Sequence, residues 1–353
     1  MKKREIIPHS RPSLDDEEIL ALKNVLTSGQ LAQGPQIENF EEELGSFHGL
    51  LPGVATSSGT TALHLALLSL GVGQGDEVLL PSYVCSAPLH AVYHAGATPV
   101  LVDVDPTTGN MDPDDLKKRL TSKSKAIIVI HLFGLPANVR EISALGLPVI
   151  EDCAQALGAE LASRKVGTFS RVAICSFYAT KIITTGEGGM LLSSDPDLLA
   201  RSRDLRDYDK KEDLTPRFNY KMTDLQAALG RSQLQKLERF LGQREELAGV
   251  YNEQLATLPC TLPLSQAGRI YYRYVVSVQK DVSRLIQEMS NMGIEVARPV
   301  YRPLHRYFDL KDYPGAEMAW NSHVSLPIHP SLTSQDVHRV CQALPQALKE
   351  NSQ

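Results

Sequence analysis

The 353-residue sequence lacks several features that would each point to a class of function. Its five cysteines (Cys85, Cys153, Cys175, Cys260, Cys341) are odd in number and scattered, without CxxC or CxxH spacing. That argues against a disulfide framework and against a zinc site, so no metal is expected. Positive charge is not in surplus: 36 Lys and Arg face 41 Asp and Glu, for a net charge of -5. No basic cluster persists along the chain, and a nucleic-acid partner is not expected. No apolar stretch approaches the length of a membrane span. The start, MKKREIIPHSRP, has basic residues but no apolar run behind them, so it does not read as a secretory signal. Internal repeats and low-complexity tracts are absent. A reduced cytoplasm is the simplest compartment.

What is present is ordinary globular composition, 42% apolar and 22% charged, in a chain long enough for two domains. From Gly53 to Leu192 apolar runs alternate with helical patterns. DEVLLPS, TPVLVDVD, KAIIVIHLFG, LPVIEDCAQ, VAICSFY and GGMLLSSD read as strands; TALHLALLSLG, SAPLHAVYHAG and DPDDLKKRLTS read as helices. Strands that are apolar nearly throughout and joined by helices imply an α/β domain with a mostly parallel sheet covered on both faces. The alternation ends near Asp195. Residues 223–258 carry a long helical pattern with a break expected near Gly230, followed by a strand in IYYRYVVSVQ, a helix in DVSRLIQEMSNM and a terminal helix after LPIHPSLTSQD. The expected division is a large α/β domain over 1–240 and a smaller α/β domain over 241–353.

Three places in the large domain invite chemistry. In SFYATKIITTGEGG, Lys181 follows a strand and precedes a Thr- and Gly-rich loop. A P-loop is excluded because there the lysine follows the glycines. Two readings remain: a strand-end lysine whose ammonium reaches water, or an amine held in a partly dry site to form a Schiff base with a carbonyl. Asp152 ends the run LPVIED, with Gln155 close behind, at the carboxyl end of a strand where α/β sheets bind ligands; a helix N-cap is the plainer role. TSSGTTALHLALLSLG runs from small hydroxylated residues and Gly59 into an apolar helix. Free N–H groups there form an anion site suited to phosphate, with simple capping by Ser58 or Thr60 as the other use. An aldehyde-seeking lysine, a carboxylate and a phosphate cradle together meet the needs of pyridoxal 5′-phosphate (PLP), whose protonated ring nitrogen lets it act as an electron sink.

The segments SGTTALHLAL, EDCAQALGA, SFYATKIITTGEGGM and NYKMTDLQAAL resemble the DegT/DnrJ/EryC1/StrS family of sugar aminotransferases. PSLDDEEILALKNVLTSGQLAQGPQIENFEEEL near the start, and RPVYRPLHRYF with LPIHPSLTSQDV near the end, extend the resemblance over essentially the whole chain. The resemblance implies fold type I, with a mostly parallel mixed sheet flanked by helices. It implies a homodimer with shared active sites, and amino transfer, with glutamate as donor, to a keto group of a nucleotide-linked sugar. It assigns the cofactor to Lys181, its pyridine nitrogen to Asp152 and its ring oxygen to Gln155. Gly59, Thr60 and Ser176 then hold the phosphate, with Asn219 of the neighbouring subunit. Tyr301 and His305 become substrate contacts, with Arg302 beside them; His131 also falls within a family-like motif.

The sequence departs from the family in two places. PSYVCSAP puts Cys85 where many members carry an aromatic that stacks on the pyridine ring, so either Cys85 packs there or Tyr83 does so from nearby. EDCAQALGA has Leu157 where many carry histidine. Two other functions fit the same fold: a dehydratase, which typically has histidine in place of the lysine, and a PLP-binding regulatory protein without turnover.

Overall fold

The apolar runs become strands because they are buried on both faces, and the polar residues that end them fall on one edge of a sheet. The computed structural model describes residues 6–349; residues 1–5, which hold most of the basic start, and 350–353 lie outside it. In chain order the strands are β1 (Val54–Thr56), β2 (Glu77–Pro81), β3 (Thr98–Val102), β4 (Ser124–Ile130) and β5 (Val149–Asp152), then a short hairpin of β6 (Glu160–Leu161) and β7 (Arg164–Lys165). They continue with β8 (Val172–Ser176), β9 (Gly189–Leu192), β10 (Cys260–Thr261), β11 (Tyr274–Val278) and β12 (His323–Leu326). Seven form one sheet in the order β1-β9-β8-β5-β4-β2-β3. The five from β8 to β3 are parallel. β9 runs against both β8 and β1, so β1 points the same way as the parallel set.

The carboxyl ends therefore gather Thr56, Ser82, His131, Asp152 and Ser176, at or just past the ends of β1, β2, β4, β5 and β8. The helix Gly59–Ser69 lies against β8 and β9, with Ala62 through Leu67 buried. Full burial of each larger apolar side chain contributes about 1.5–3 kcal/mol, which anchors the start of this helix over the strand ends. Ser58 and Thr61 close a reciprocal capping box there.

The antiparallel sheet β10-β11-β12 forms a second body with the helices Val282–Asn291 and Ser334–Leu348. Ile7 joins its core and bridges to Ile294, so a residue that precedes the large sheet packs with this second body. The expected division at residue 240 falls within helix Leu237–Leu255. The helical pattern breaks at Lys236, between Asp224–Gln235 and Leu237–Leu255, and not near Gly230. Gly230 sits inside the first helix, where a Cβ would lie 2.7 Å from Phe40 Cζ; close packing, not a turn, calls for glycine. Among the described residues no helix is long and apolar enough to cross a membrane.

Candidate active site

A cavity of about 310 Å³ opens at the carboxyl ends of β5 and β8, and seven of the expected residues line it: Gly59, Thr60, Cys85, Asp152, Gln155, Ser176 and Lys181. At one end lies the start of helix Gly59–Ser69. The Thr61 N–H is taken by Ser58 Oγ and the Ala62 N–H by the Ser58 carbonyl. The Gly59 and Thr60 N–H groups have no acceptor among the described residues, nor has the Ser176 hydroxyl a partner. A Cβ on Gly59 would stand 2.7 Å from Ser176 Cβ, so only glycine lets the helix start come this close to the strand end. Two free N–H groups, two hydroxyls and the positive end of a helix dipole make a cradle for an anion.

Across the cavity Asp152 is 7% exposed. One carboxylate oxygen accepts the Ala154 N–H at 2.9 Å in a local turn; no helix follows, so the capping role expected as the plainer reading is not the one observed. Burial pushes the Asp152 carboxyl above its ordinary value, against the Ala154 N–H and the Lys181 cation. Gln155 Oε1 accepts the Phe133 N–H at 3.0 Å. That bond fixes which end of the amide is oxygen and leaves its NH₂ group to donate.

The turn that carries Phe133 is held from below. Glu151, on the other face of β5 from Asp152, is fully buried. It accepts from the Gly167, Phe169 and Ser170 N–H groups and from the Ser170 hydroxyl. His131 Nδ1 accepts the Ala137 N–H, so its ring proton sits on Nε2 and is donated to Glu151 at 3.1 Å. Burial opposes ionisation of Glu151, but these donors, His131 foremost, outweigh it and hold its carboxyl below the ordinary value. His131 is thus a packed support. Phe133 itself takes the left-handed conformation, φ 58°, which the surrounding bonds maintain.

Lys181 Nζ has no hydrogen-bond partner among the described residues and stands 5.1 Å from the centre of the Tyr272 ring. Cys85 lines the cavity, whereas Tyr83 is buried elsewhere, edge-on to Phe133 and His323. Of the two residues offered for the aromatic's place, Cys85 is the one at the cavity wall. Leu157 is buried in the core beneath the sheet and does not line the cavity.

Three expected residues lie outside this cavity. Asn219 is exposed, between Phe218 and Tyr220, whose rings stack 4.7 Å apart. Tyr301 is 86% exposed and lines a second, larger cleft of about 730 Å³ with Arg298, Arg302, Arg306, Lys311 and Trp320. His305 is buried, 2.7 Å from both Ser82 Oγ and Glu317 Oε1, and braces the cleft against the end of β2. Sequence reasoning missed Tyr178 and Glu187, which also line the first cavity, and the arginine-flanked Trp320 of the second. Arg298 and Arg306 stand 4.0 and 3.7 Å from the centre of its ring. Both arginines lie within the quoted RPVYRPLHRYF, but Trp320 follows 12 residues after its end, and no local signal ties the three together.

Residues 12–345 match the DegT/DnrJ/EryC1/StrS aminotransferase family. The chain belongs to this family. As a DegT-type aminotransferase it is 37% identical to a GDP-perosamine synthase of Caulobacter vibrioides over 364 residues, which span 96% of this chain and 97% of that one. Its fold matches the aminotransferase TlmJ of Streptoalloteichus hindustanus with a TM-score of 0.93 and 32% identity, covering 97% and 99% of the two chains. It matches Spr1654 of Streptococcus pneumoniae in its PMP form with a TM-score of 0.91 and 26% identity, covering 97% and 98%. The fold is fold type I and the cofactor is PLP. The cavity's lining suits that cofactor: free N–H groups at a helix start, a buried carboxylate and a lysine without a hydrogen-bond partner among the described residues surround one space.

Proposed function

We propose that this sugar aminotransferase transfers the amino group of glutamate to a keto group of a nucleotide-linked sugar, as a cytoplasmic homodimer with shared sites. The observation that carries the acceptor is the cleft around Trp320. It is large enough for a nucleotide, and His305 bonds both Glu317 of its lining and Ser82, two residues before the Val84 that lines the first cavity. Arg302 and Lys311 line it without an ion-pair partner among the described residues, alongside Asp309 and the Glu317 that pairs with Arg306, leaving positive charge for phosphates and the exposed Tyr301 ring for a base. Similarity to a GDP-perosamine synthase supports a nucleotide-linked sugar.

The chain's own residues then divide the work. When bound, PLP supplies an electron sink for the carbon that gains or loses nitrogen. Gly59, Thr60 and Ser176 hold its phosphate through their free N–H and hydroxyl groups. Asp152, costly to ionise alone in its buried place, keeps the proton on the ring nitrogen by pairing with the resulting cation. The Gln155 NH₂ donates to the ring oxygen. Lys181 would hold the cofactor's aldehyde and, with its amine free, would serve as base and acid for the proton at the reacting carbon. The fixed Gln155 amide and the wall at Cys85 orient the ring. Asn219 of the partner completes the phosphate site.

The test is amino transfer from glutamate to a panel of keto-sugar nucleotides with different sugars and bases, read by mass spectrometry of the amino-sugar product. Turnover with one member is the expected result. Transfer to free keto-sugars but to no nucleotide-linked one would overturn the acceptor assignment.

A further inference from the structure

Glu317 stands where the Trp320 cleft meets the brace behind it. On the cleft side its carboxylate takes both arms of Arg306: Nε donates to Oε1 at 2.6 Å and Nη2 to Oε2. On the other side Oε1 accepts from His305 Nε2 at 2.7 Å. A carboxylate only accepts, so the His305 ring proton lies on Nε2. Nδ1 then accepts the Ser82 hydroxyl at 2.7 Å, while Ser82 Oγ takes the His305 backbone N–H. Arg306 itself lies 3.7 Å from the centre of the Trp320 ring, which belongs to the chain's single tryptophan.

The other charges around His305 are matched. Tyr313 stacks on its ring at 4.9 Å, and Arg119, 4.4 Å from the centre of the Tyr313 ring, pairs with Asp115. Asp103 accepts the Gly315 and Ala316 N–H groups at the start of helix Pro314–Ser322, which carries Glu317. Glu317 is thus shared between one cation and one imidazole. Arg306 foremost, with His305 after it, outweighs burial and holds the Glu317 carboxyl down to about 2. With Arg306 cancelling that charge, the imidazole has no need of a second proton. A phosphate in the cleft changes the balance, because it competes for the Arg306 fork and adds negative charge beside Glu317. Imidazole is the side chain that ordinarily gains a charge near neutrality, and His305 already touches the carboxylate left behind.

We infer that Glu317 is a positioning residue which an arriving diphosphate displaces from Arg306, and that His305 takes up a proton from solvent as the exchange occurs. This rests on the reading of the cleft as the site of a nucleotide-linked acceptor. Arg306 turns its fork to phosphate oxygens, and Glu317 stays paired with the His305 cation. The Ser82 hydroxyl rotates from donor to acceptor at Nδ1. The complex then binds more protons than the free protein, so affinity for the nucleotide must fall as pH rises.

Trp320 makes the exchange visible, since its emission changes when Arg306 leaves the ring. The PLP-loaded protein is titrated from about pH 6 to 8.5 with GDP-mannose, UDP-glucose and dTDP-glucose, which lack a keto group, and with sulfate, a dianion throughout that range. In the wild type Kd should rise with pH, by up to about tenfold per unit. Glu317→Gln, checked for an unchanged unfolding temperature, has no charge to be displaced. It should bind roughly 3- to 10-fold tighter at the upper end of the range and lose the pH dependence. His305→Gln should lose the pH dependence without the gain in affinity. A wild-type Kd that does not change with pH overturns the exchange. So does a Glu317→Gln protein that binds more weakly with the wild-type slope, or one altered only in the bleaching of its visible absorbance by glutamate, with no sugar present. Should no nucleotide sugar bind the wild type, the acceptor reading fails, and sulfate alone decides the exchange by the same slopes; sulfate without effect on the wild-type emission then overturns it.

Discussion

Gly59 and Ser176 approach so closely that a methyl group on the glycine would stand 2.7 Å from the serine's Cβ. One begins a helix and the other ends a strand, 117 positions later by their numbers. Their proximity brings two local signals to one cavity wall, in the space that Asp152 and Lys181 also line.

Lys181→Ala is expected to fold and to retain some PLP through the phosphate cradle, but to lose the visible band of the lysine-linked cofactor. Borohydride followed by peptide mapping should mark Lys181 in the wild type only. Turnover should fall by about a thousand-fold or more. An unchanged visible spectrum in the variant would return Lys181 to a strand-end residue.

Asp152→Asn keeps the side-chain oxygen that accepts the Ala154 N–H and so should unfold at a similar temperature. A neutral amide cannot pair with the ring cation, so turnover should fall about 100-fold or more. Turnover near the wild-type rate would show that Asp152 only closes its turn.

Arg302→Ala removes a cation from the Trp320 cleft without touching the cofactor cavity. The KM for the nucleotide-linked sugar should rise about tenfold, while bleaching by glutamate stays the same. The reverse pattern would place the nucleotide elsewhere.

If Asn219 serves the partner's phosphate, Asn219→Asp and Lys181→Ala should each impair activity, and mixing the two should restore part of it. In a mixed dimer one site contains both natural residues. Failure of rescue after proven chain exchange, or full activity of a monomer, would leave Asn219 as the exposed surface residue seen in one chain.

Acid should destabilise the fold in a defined window. Burial lowers His48, His64, His323 and His329 to about 4, from an ordinary value near 6.5. Between those values the unfolded chain binds more protons than the folded one, so stability rises with pH across the window and is lost as pH falls through it. Calorimetry should find this contribution flat above pH 7, with the unfolding temperature dropping from about pH 6.5 to 4. In His323→Gln the drop should be shallower by about one proton.

The strands, the helices between them and the residues that line the first cavity were legible in the sequence because each sits at a local boundary. Asp152 and Ser176 end apolar runs, Gly59 starts a helix, and Lys181 follows a strand. Gly230 misled because glycine also marks close packing, here against Phe40, and not only a helix break. His305 lies in a motif that suggested substrate contact, yet its partners Ser82 and Glu317 make it a brace.

The cleft's segment is tied to the end of β2 through His305 and Ser82, while its lining comes from residues 298–320 and the cofactor cavity's from residues 58–187. If that cleft takes the acceptor as proposed, the chemistry and the choice of acceptor are written on separate stretches of the chain, and a lineage that exchanges Arg302, Lys311 or Tyr301 would acquire a different customer while inheriting the nitrogen chemistry, so long as the tie between Ser82 and His305 is kept.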